Sequence, residues 1–161
     1  MKLSLLQKGA RAPNFALTAD DGSRVTLSES LASGPVVLIF YPGDYTPGCT
    51  IQLCAVRDDW AEFQRLGINV FGMNRGRIES HQGFAKQHKL PFRLLSDEGG
   101  KVSRAYGTLI KLPFGSISRR TVYGIDAQGI VRYARRGMPK NSEVLKAMKP
   151  YAQSGDHKPI T

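Results

Sequence analysis

Two cysteines, Cys49 and Cys54, stand five residues apart in the stretch YPGDYTPGCTIQLC, and the chain has no others. A thiolate is a strong nucleophile toward electrophilic oxygen and sulfur, so this stretch is where covalent chemistry is expected. The apolar run VVLIFY, residues 36–41, leads into Pro42 and Gly43, and a segment with few breakers follows over residues 50–66. The pattern predicts a buried strand, a turn and a helix that begins close to Cys49. A thiol in the first helical turn lies near unpaired backbone N–H groups and the positive end of the macrodipole, both of which favour the thiolate. Cys49 is therefore expected to be reactive.

A thiolate reduces a peroxide by attacking one oxygen while the other leaves as hydroxide or alkoxide. Such a site needs donors that stabilise charge along the breaking bond. Thr46, three residues before Cys49, offers a hydroxyl that can donate to or accept from a peroxide oxygen. Pro42 and Pro47 stiffen the loop and form a wall without N–H groups beside the sulfur. The loop lacks a cation, and Arg119 and Arg120 enter a late apolar strand that can supply one. Alternation sets Arg120, Val122 and Gly124 against Thr121, Tyr123 and Ile125, so the two arginines face opposite sides and one at most reaches the site. Arg120 is the candidate, because a guanidinium holds several donors in a fixed fork.

With these residues in view, the chain resembles a peroxiredoxin of the bacterioferritin comigratory protein or peroxiredoxin Q type. Pro42, Thr46 and Cys49 match that family's proline, threonine and peroxidatic cysteine, and Arg120, six before Asp126 in RTVYGID, matches its active-site arginine. The resemblance extends through GARAPNFAL near the start and LPFRLLSDEGGKVSRAYG in the middle. It implies a thioredoxin-like α/β fold and a peroxidase acting on hydrogen peroxide and organic hydroperoxides. It also implies that Cys54 is the resolving cysteine, closing an intramolecular disulfide with Cys49 that thioredoxin, glutaredoxin or another dithiol carrier reopens. No metal, haem or flavin is required, and a resolving thiol within one chain fits a monomer. Helix geometry then makes a demand. Residues five apart on an unbroken α-helix are ~7.5 Å apart along the axis and ~140° around it, which places their Cα atoms roughly 8–9 Å apart. A disulfide needs ~7 Å or less, so a helix carrying both cysteines must unwind locally before they bond. The chain departs from the family at Met73-Asn74-Arg75-Gly76-Arg77, where the resemblance leads one to expect a segment like valine-serine-x-aspartate. Arg75 and Arg77 are expected to alter peroxide or donor preference.

The elements that must position these residues can also be read. Residues 13–17 and 24–27 alternate around the turn composition of residues 20–23, an N-terminal hairpin. Residues 28–32 form a helical turn before Gly34-Pro35, and the helix over 50–66 turns Leu53, Val56, Trp60, Phe63 and Leu66 inward. A strand over 68–73, a helix over 80–88, a short strand over 94–97 and a helix over 101–106 follow. Residues 120–126 and 130–134 flank a hairpin turn, and residues 142–153 make the last helix. Strands alternating with helices, with a late hairpin, predict a central mixed sheet flanked by helices. The whole of residues 1–161 is expected to be a single domain, with residues 154–161 a loose tail.

Composition narrows the alternatives. The chain is 41% hydrophobic and 22% charged, ordinary for a globular protein. MKLSLLQKGARAP holds too short an apolar patch for a signal-peptide core and no run reaches membrane-spanning length, so a cytoplasmic protein without membrane association is expected. In that compartment redox-active thiols outrank a structural disulfide. The net charge of +10 is spread along the chain, only modestly denser at Arg132, Arg135, Arg136 and Lys140, without the motifs of a nucleic-acid binder. His81 and His88 lack further ligands at matching spacing and are expected on helix faces or the surface; Asp44 is expected in solvent, and Tyr45 along one wall of the pocket. Two other functions compete: a thioredoxin-like disulfide reductase, disfavoured because its usual pair is C-x-x-C, and a non-catalytic redox sensor or binding protein on the same scaffold.

Overall fold

A computed structural model of the chain describes residues 4–152. Its elements begin with β1 (Ala16–Ala19), β2 (Arg24–Thr26), α1 (Leu27–Leu31), β3 (Val36–Phe40), α2 (Pro47–Asp58), α3 (Trp60–Arg65), β4 (Asn69–Asn74) and α4 (Ile78–His88). They continue with β5 (Arg93–Ser96), α5 (Lys101–Ala105), β6 (Leu109–Leu112), β7 (Gly115–Ser118), β8 (Thr121–Ile125), β9 (Val131–Arg136) and α6 (Asn141–Met148), which runs into a 3-10 turn at Lys149–Tyr151.

The apolar run of β3 is buried at every position, as a strand covered on both faces must be. It lies inside a seven-stranded sheet of order β2-β1-β5-β4-β3-β8-β9. The pairs β3–β4 and β4–β5 are parallel, whereas β3–β8, β8–β9, β1–β5 and β1–β2 are antiparallel, which makes the sheet mixed. Alternation along β3 divides the core in two. Val36, Leu38 and Phe40 pack with Leu27 and Leu31 of α1, Val102 of α5 and Tyr106; Val37, Ile39 and Tyr41 pack with Leu53 and Val56 of α2, Phe84 of α4 and Met148 of α6. Helices thus cover both faces, the expected thioredoxin-like architecture. The pairing Phe40 with Thr121 brings the start of β8 to the end of β3, and so Arg120 to the level of Tyr41 and Pro42.

Three expectations are corrected. The helix predicted over 50–66 starts at Pro47, whose ring suits the first helical position, and breaks at Asp59 into α2 and α3. Asp59 leaves helical geometry with ψ at 15°, and its carboxylate accepts a hydrogen bond from Asn141 Nδ2 at 2.9 Å, next to the start of α6. Leu27 belongs to α1 rather than to the strand before it. The β6–β7 hairpin was not expected, because Leu112-Pro113-Phe114-Gly115 carries none of the usual two-residue turn pairs. The tail at 154–161, and the end of the last predicted helix at 153, lie outside the described residues.

Candidate active site

The end of β3 and the turn after it are tied to α4 by a buried polar cluster. Asp44 has a side chain only 2% exposed. Its Oδ1 accepts from the Tyr41 hydroxyl at 2.7 Å, and its Oδ2 accepts from the Ser80 hydroxyl and from His81 Nδ1, each at 2.7 Å. Burial pushes the Asp44 carboxyl up, but the hydrogen bond and charge of His81, with the Ser80 and Tyr41 bonds, outweigh it and hold the carboxyl below its ordinary value. Burial, then the Asp44 charge, pushes the Tyr41 phenol well above its usual range. Asp44 therefore departs from the sequence reading, being buried and not solvated; His81 lies on a helix, as read, but on the buried face of α4. No spacing signal links residues 37 apart, so this pair was invisible before the fold.

Tyr45 adds a second fastening. It adopts φ 67°, a conformation tyrosine rarely takes, and its ring stands edge-on to Phe84 with centroids 5.2 Å apart. Its hydroxyl sits over Gly83, where a Cβ would lie 2.6 Å from the oxygen. Tyr45 thus packs on α4. The turn from Pro42 to Thr46 is held at Asp44 and Tyr45, on either side of the bend, by one helix.

Beyond that turn, Thr46 is the N-cap residue of α2 by backbone conformation, but its hydroxyl donates to Gly43 O at 3.2 Å and does not cap the helix. The first intrahelical bond joins Thr50 N–H to Thr46 O. Pro47 has no N–H, and the amides of Gly48 and Cys49 precede that first bond, so they are the unpaired donors of the first turn. Cys49 is the third helical residue, fully buried among Tyr41, Leu53 and Val122. Cys54 lies further along the same helix and is half-buried, and both thiols are free. Between them Gln52 is buried, and its Oε1 has no hydrogen-bond partner among the described residues.

Arg120 completes the constellation. Its guanidinium lies directly against Gly48: a Cβ there would be 2.6 Å from Nη2 and 3.2 Å from Cζ. Glycine at 48 is what lets the cation approach the helix start beside Cys49. The other contact of the fork is Nη1 to Met138 Sδ at 3.6 Å, and no carboxylate pairs with it among the described residues. Val122, in register with Arg120, packs in the same cluster as Cys49, in keeping with the alternation read from the sequence. The structure thus brings Pro42, Thr46, Cys49 and Arg120 to one end of β3, with Cys54 along α2. Gly48, Asp44 and His81 are the residues that the sequence reading missed; the close approach at Gly48 appears only once β8 is paired with β3.

The two arginines that depart from the family pattern are used differently. Arg75 Nε and Nη2 donate to Glu98 O at 2.9 and 2.6 Å, and Nη1 reaches Ser116 O at 3.3 Å and the Ser116 hydroxyl. It fastens the end of β4 to β7. Arg77 is exposed, with Nε 3.9 Å from Glu79. Among the described residues no group of His, Cys, Asp or Glu is arranged to hold a metal ion, and no helix is long and apolar enough to cross a membrane.

Comparison with known proteins places this geometry. Residues 8–134 match the model of the AhpC/TSA family. A putative chloroplastic peroxiredoxin Q of Oryza sativa subsp. indica is 46% identical over 128 residues, 80% of this chain and 58% of the relative, so the chain spans under three fifths of that protein's length. A chloroplastic peroxiredoxin Q of Sedum lineare is 42% identical over 146 residues, covering 88% of this chain and 77% of the relative. Among solved structures, the peroxidoxin BcpB of Mycobacterium tuberculosis superposes with a TM-score of 0.86 at 27% identity, over 92% of this chain and 99% of that one. A Xanthomonas campestris peroxiredoxin Q gives a TM-score of 0.78 at 27% identity, over 86% and 92%. With matched residues spanning the site and the sheet that carries it, the chain belongs to the AhpC/TSA family, in its peroxiredoxin Q and bacterioferritin comigratory protein branch.

Proposed function

We propose that this chain is a thiol peroxidase in which Cys49 attacks the peroxide. The observation that carries the reading is the Arg120 guanidinium packed on Gly48 at the start of the helix that bears Cys49. Two sources of positive potential, the guanidinium and the unpaired first-turn amides, converge where an anionic sulfur and a departing oxygen need them. The Cys49 thiolate attacks the terminal oxygen of ROOH, the S–O bond forms, and the O–O bond breaks. Cys49 is left as a sulfenic acid, and the departing RO⁻ takes a proton from solvent to become ROH. Arg120 stabilises the charge on the leaving oxygen, the Thr46 hydroxyl orients the peroxide, and Pro42 shields the sulfur from water.

Cys54 then attacks the sulfenic sulfur, forming the Cys49–Cys54 disulfide and releasing hydroxide, which solvent protonates. A dithiol donor exchanges with that disulfide, restoring both thiols and leaving with its own disulfide. Thioredoxin, or a glutaredoxin-like carrier, is the proposed donor. Hydrogen peroxide and organic hydroperoxides are the proposed substrates, in line with a solved relative described for alkyl peroxide reduction by a Xanthomonas campestris bacterioferritin comigratory protein. The chain is proposed to act as a single domain and a monomer in the cytoplasm, since both thiols of the cycle lie on one helix.

Peroxide consumption coupled to a thioredoxin system tests this reading. Cys49→Ser should abolish turnover. Cys54→Ser should keep turnover with a small monothiol and lose it with thioredoxin. Steady consumption by Cys49→Ser would refute the reading and favour a sensor or binding role for the scaffold.

A further inference from the structure

Among the described residues, the β6–β7 hairpin stands apart from the seven-stranded sheet, and its two strands pair only with each other. Its base is fastened. Arg119 N–H donates to Thr108 O at 2.6 Å, the hydroxyls of Ser103 and Ser118 share a buried hydrogen bond at 2.7 Å, and Leu109 is buried. Further out the strands run into solvent, and Leu112 and Phe114 are exposed. Yet Ile110 and Ile117, the pair that follows the base, line one open depression together with Pro42 and Arg120. A lone two-stranded hairpin is marginal in water, so a wall built on it keeps its place only if something braces it.

Arg75 is that brace. Among the described residues it makes the only polar bonds to the hairpin beyond its base, from Nη1 to Ser116 O at 3.3 Å and to the Ser116 hydroxyl. Ser116 adjoins Ile117 in β7. The other edge of the guanidinium, Nε and Nη2, donates to Glu98 O in the turn after β5. Gly100 leaves the side chain room to reach both: a Cβ there would stand 3.1 Å from Arg75 Nε and 3.2 Å from Leu109 Cδ1. All of these acceptors are neutral, and no carboxylate pairs with Arg75 among the described residues. The cation thus serves geometry. Its rigid fork ties the β5–α5 turn and β7 to the end of β4, through charge-assisted bonds that a single ammonium could not make to both sides at once.

We propose that Arg75 is a positioning residue of the peroxidase reaction: by bracing Ser116 it holds the wall of Ile110 and Ile117 in place before Pro42 and Arg120, and it acts through its fork and not through its charge. The inference rests on the peroxidase reading and deepens it. Arg77, exposed and 3.9 Å from Glu79, has no share in the brace.

Three variants and two readouts test this. Arg75→Met removes fork and charge, Arg75→Lys keeps the charge without the fork, and Ser116→Ala loosens the far end while leaving Arg75 on Glu98. Amide exchange over residues 109–118 should quicken about tenfold or more in both Arg75 variants and less in Ser116→Ala, with β3 and β8 unchanged. The ratio of kcat/KM for cumene hydroperoxide to that for hydrogen peroxide should fall about fivefold in the Arg75 variants and less in Ser116→Ala. The fall should lie in the KM of the larger substrate, because only a large molecule must fit between the wall and Pro42. A general folding defect would slow both peroxides alike, and lost protection with an unchanged ratio would make Arg75 a structural tie; either result overturns the proposal. Wild-type behaviour of Arg75→Lys, or an equal fall in Arg77→Ser, would make charge the cause and overturn it too. Exchange is measured without turnover. Absence of hydrogen peroxide consumption by the wild-type chain would therefore sink the peroxidase reading whatever the exchange shows, and the two failures are told apart.

Discussion

At the scale of single residues, the site depends on one missing methyl group. Gly48→Ala places a Cβ 2.6 Å from Arg120 Nη2, so the guanidinium must withdraw from the helix start. The variant is expected to lose about tenfold or more in kcat/KM for hydrogen peroxide, the effect of misplacing one charge-stabilising donor. Its melting temperature should barely change, because Arg120 has no carboxylate partner to lose among the described residues. Asp44 makes a prediction about pH. Its folded carboxyl titrates below the unfolded value of about 3.9, so it contributes stability above that pH, and the contribution is lost as pH falls through the folded value. Asp44→Asn should cost about 3 kcal/mol at neutral pH, as for a broken buried pair, and should unfold with a shallower acid limb. Denaturant unfolding from pH 7 down to pH 3 checks both. The convergence of Pro42, Thr46, Cys49 and Arg120 at one end of β3 was legible because loop spacing and strand alternation report on neighbours in the chain. Asp44 and His81 were not, because their contact is made by α4 folding back over the turn.

At the scale of elements, α2 carries opposing requirements. Its first turn carries the unpaired amides of Gly48 and Cys49 beside Arg120, yet the proposed pairing with Cys54 requires that turn to open. Leu53, fully buried, lies between the two cysteines and holds the segment to the core. Leu53→Ala removes this hold. It should lower global stability by about 2–5 kcal/mol and speed conversion of the sulfenic acid to the disulfide by about tenfold, because the unwound state becomes easier to reach. Trp60, the only tryptophan of the chain, begins α3 just beyond α2 and gives a fluorescence signal for following that step after rapid mixing. An unchanged rate would mean that Leu53 stays in the core throughout the cycle. The sequence predicted one helix here because the apolar spacing of residues 53–66 is unbroken. At the interruption, Asp59 accepts a side-chain bond from Asn141, 82 residues away.

At the scale of the molecule, the sheet separates what must move from what must stay. Alternation in β3 sends one set of side chains to the face of α1 and α5 and the other to the face of α2, α4 and α6. Opening the start of α2 therefore disturbs one face, while Phe40, Tyr106 and Tyr123 of the other keep their mutual ring contacts. This architecture could be read in advance because β3 is apolar throughout and the helices punctuate the strands. The β6–β7 hairpin could not: its turn is unconventional, and its place depends on Arg75 reaching Ser116 from the end of β4. That hairpin supplies Ile110 and Ile117 to a depression that Pro42 and Arg120 also line, so the part of the molecule least visible in the sequence borders the candidate site.

The central claim is that the helix bearing Cys49 must come apart for Cys49 and Cys54 to bond. Amide hydrogen exchange compared between fully reduced protein and protein oxidised by one equivalent of peroxide tests it most directly. The account predicts loss of protection across residues 47–54 on oxidation, with β3 and β8 unchanged. Equal protection of that segment in both forms, with the Cys49–Cys54 disulfide verified by mass, would contradict it.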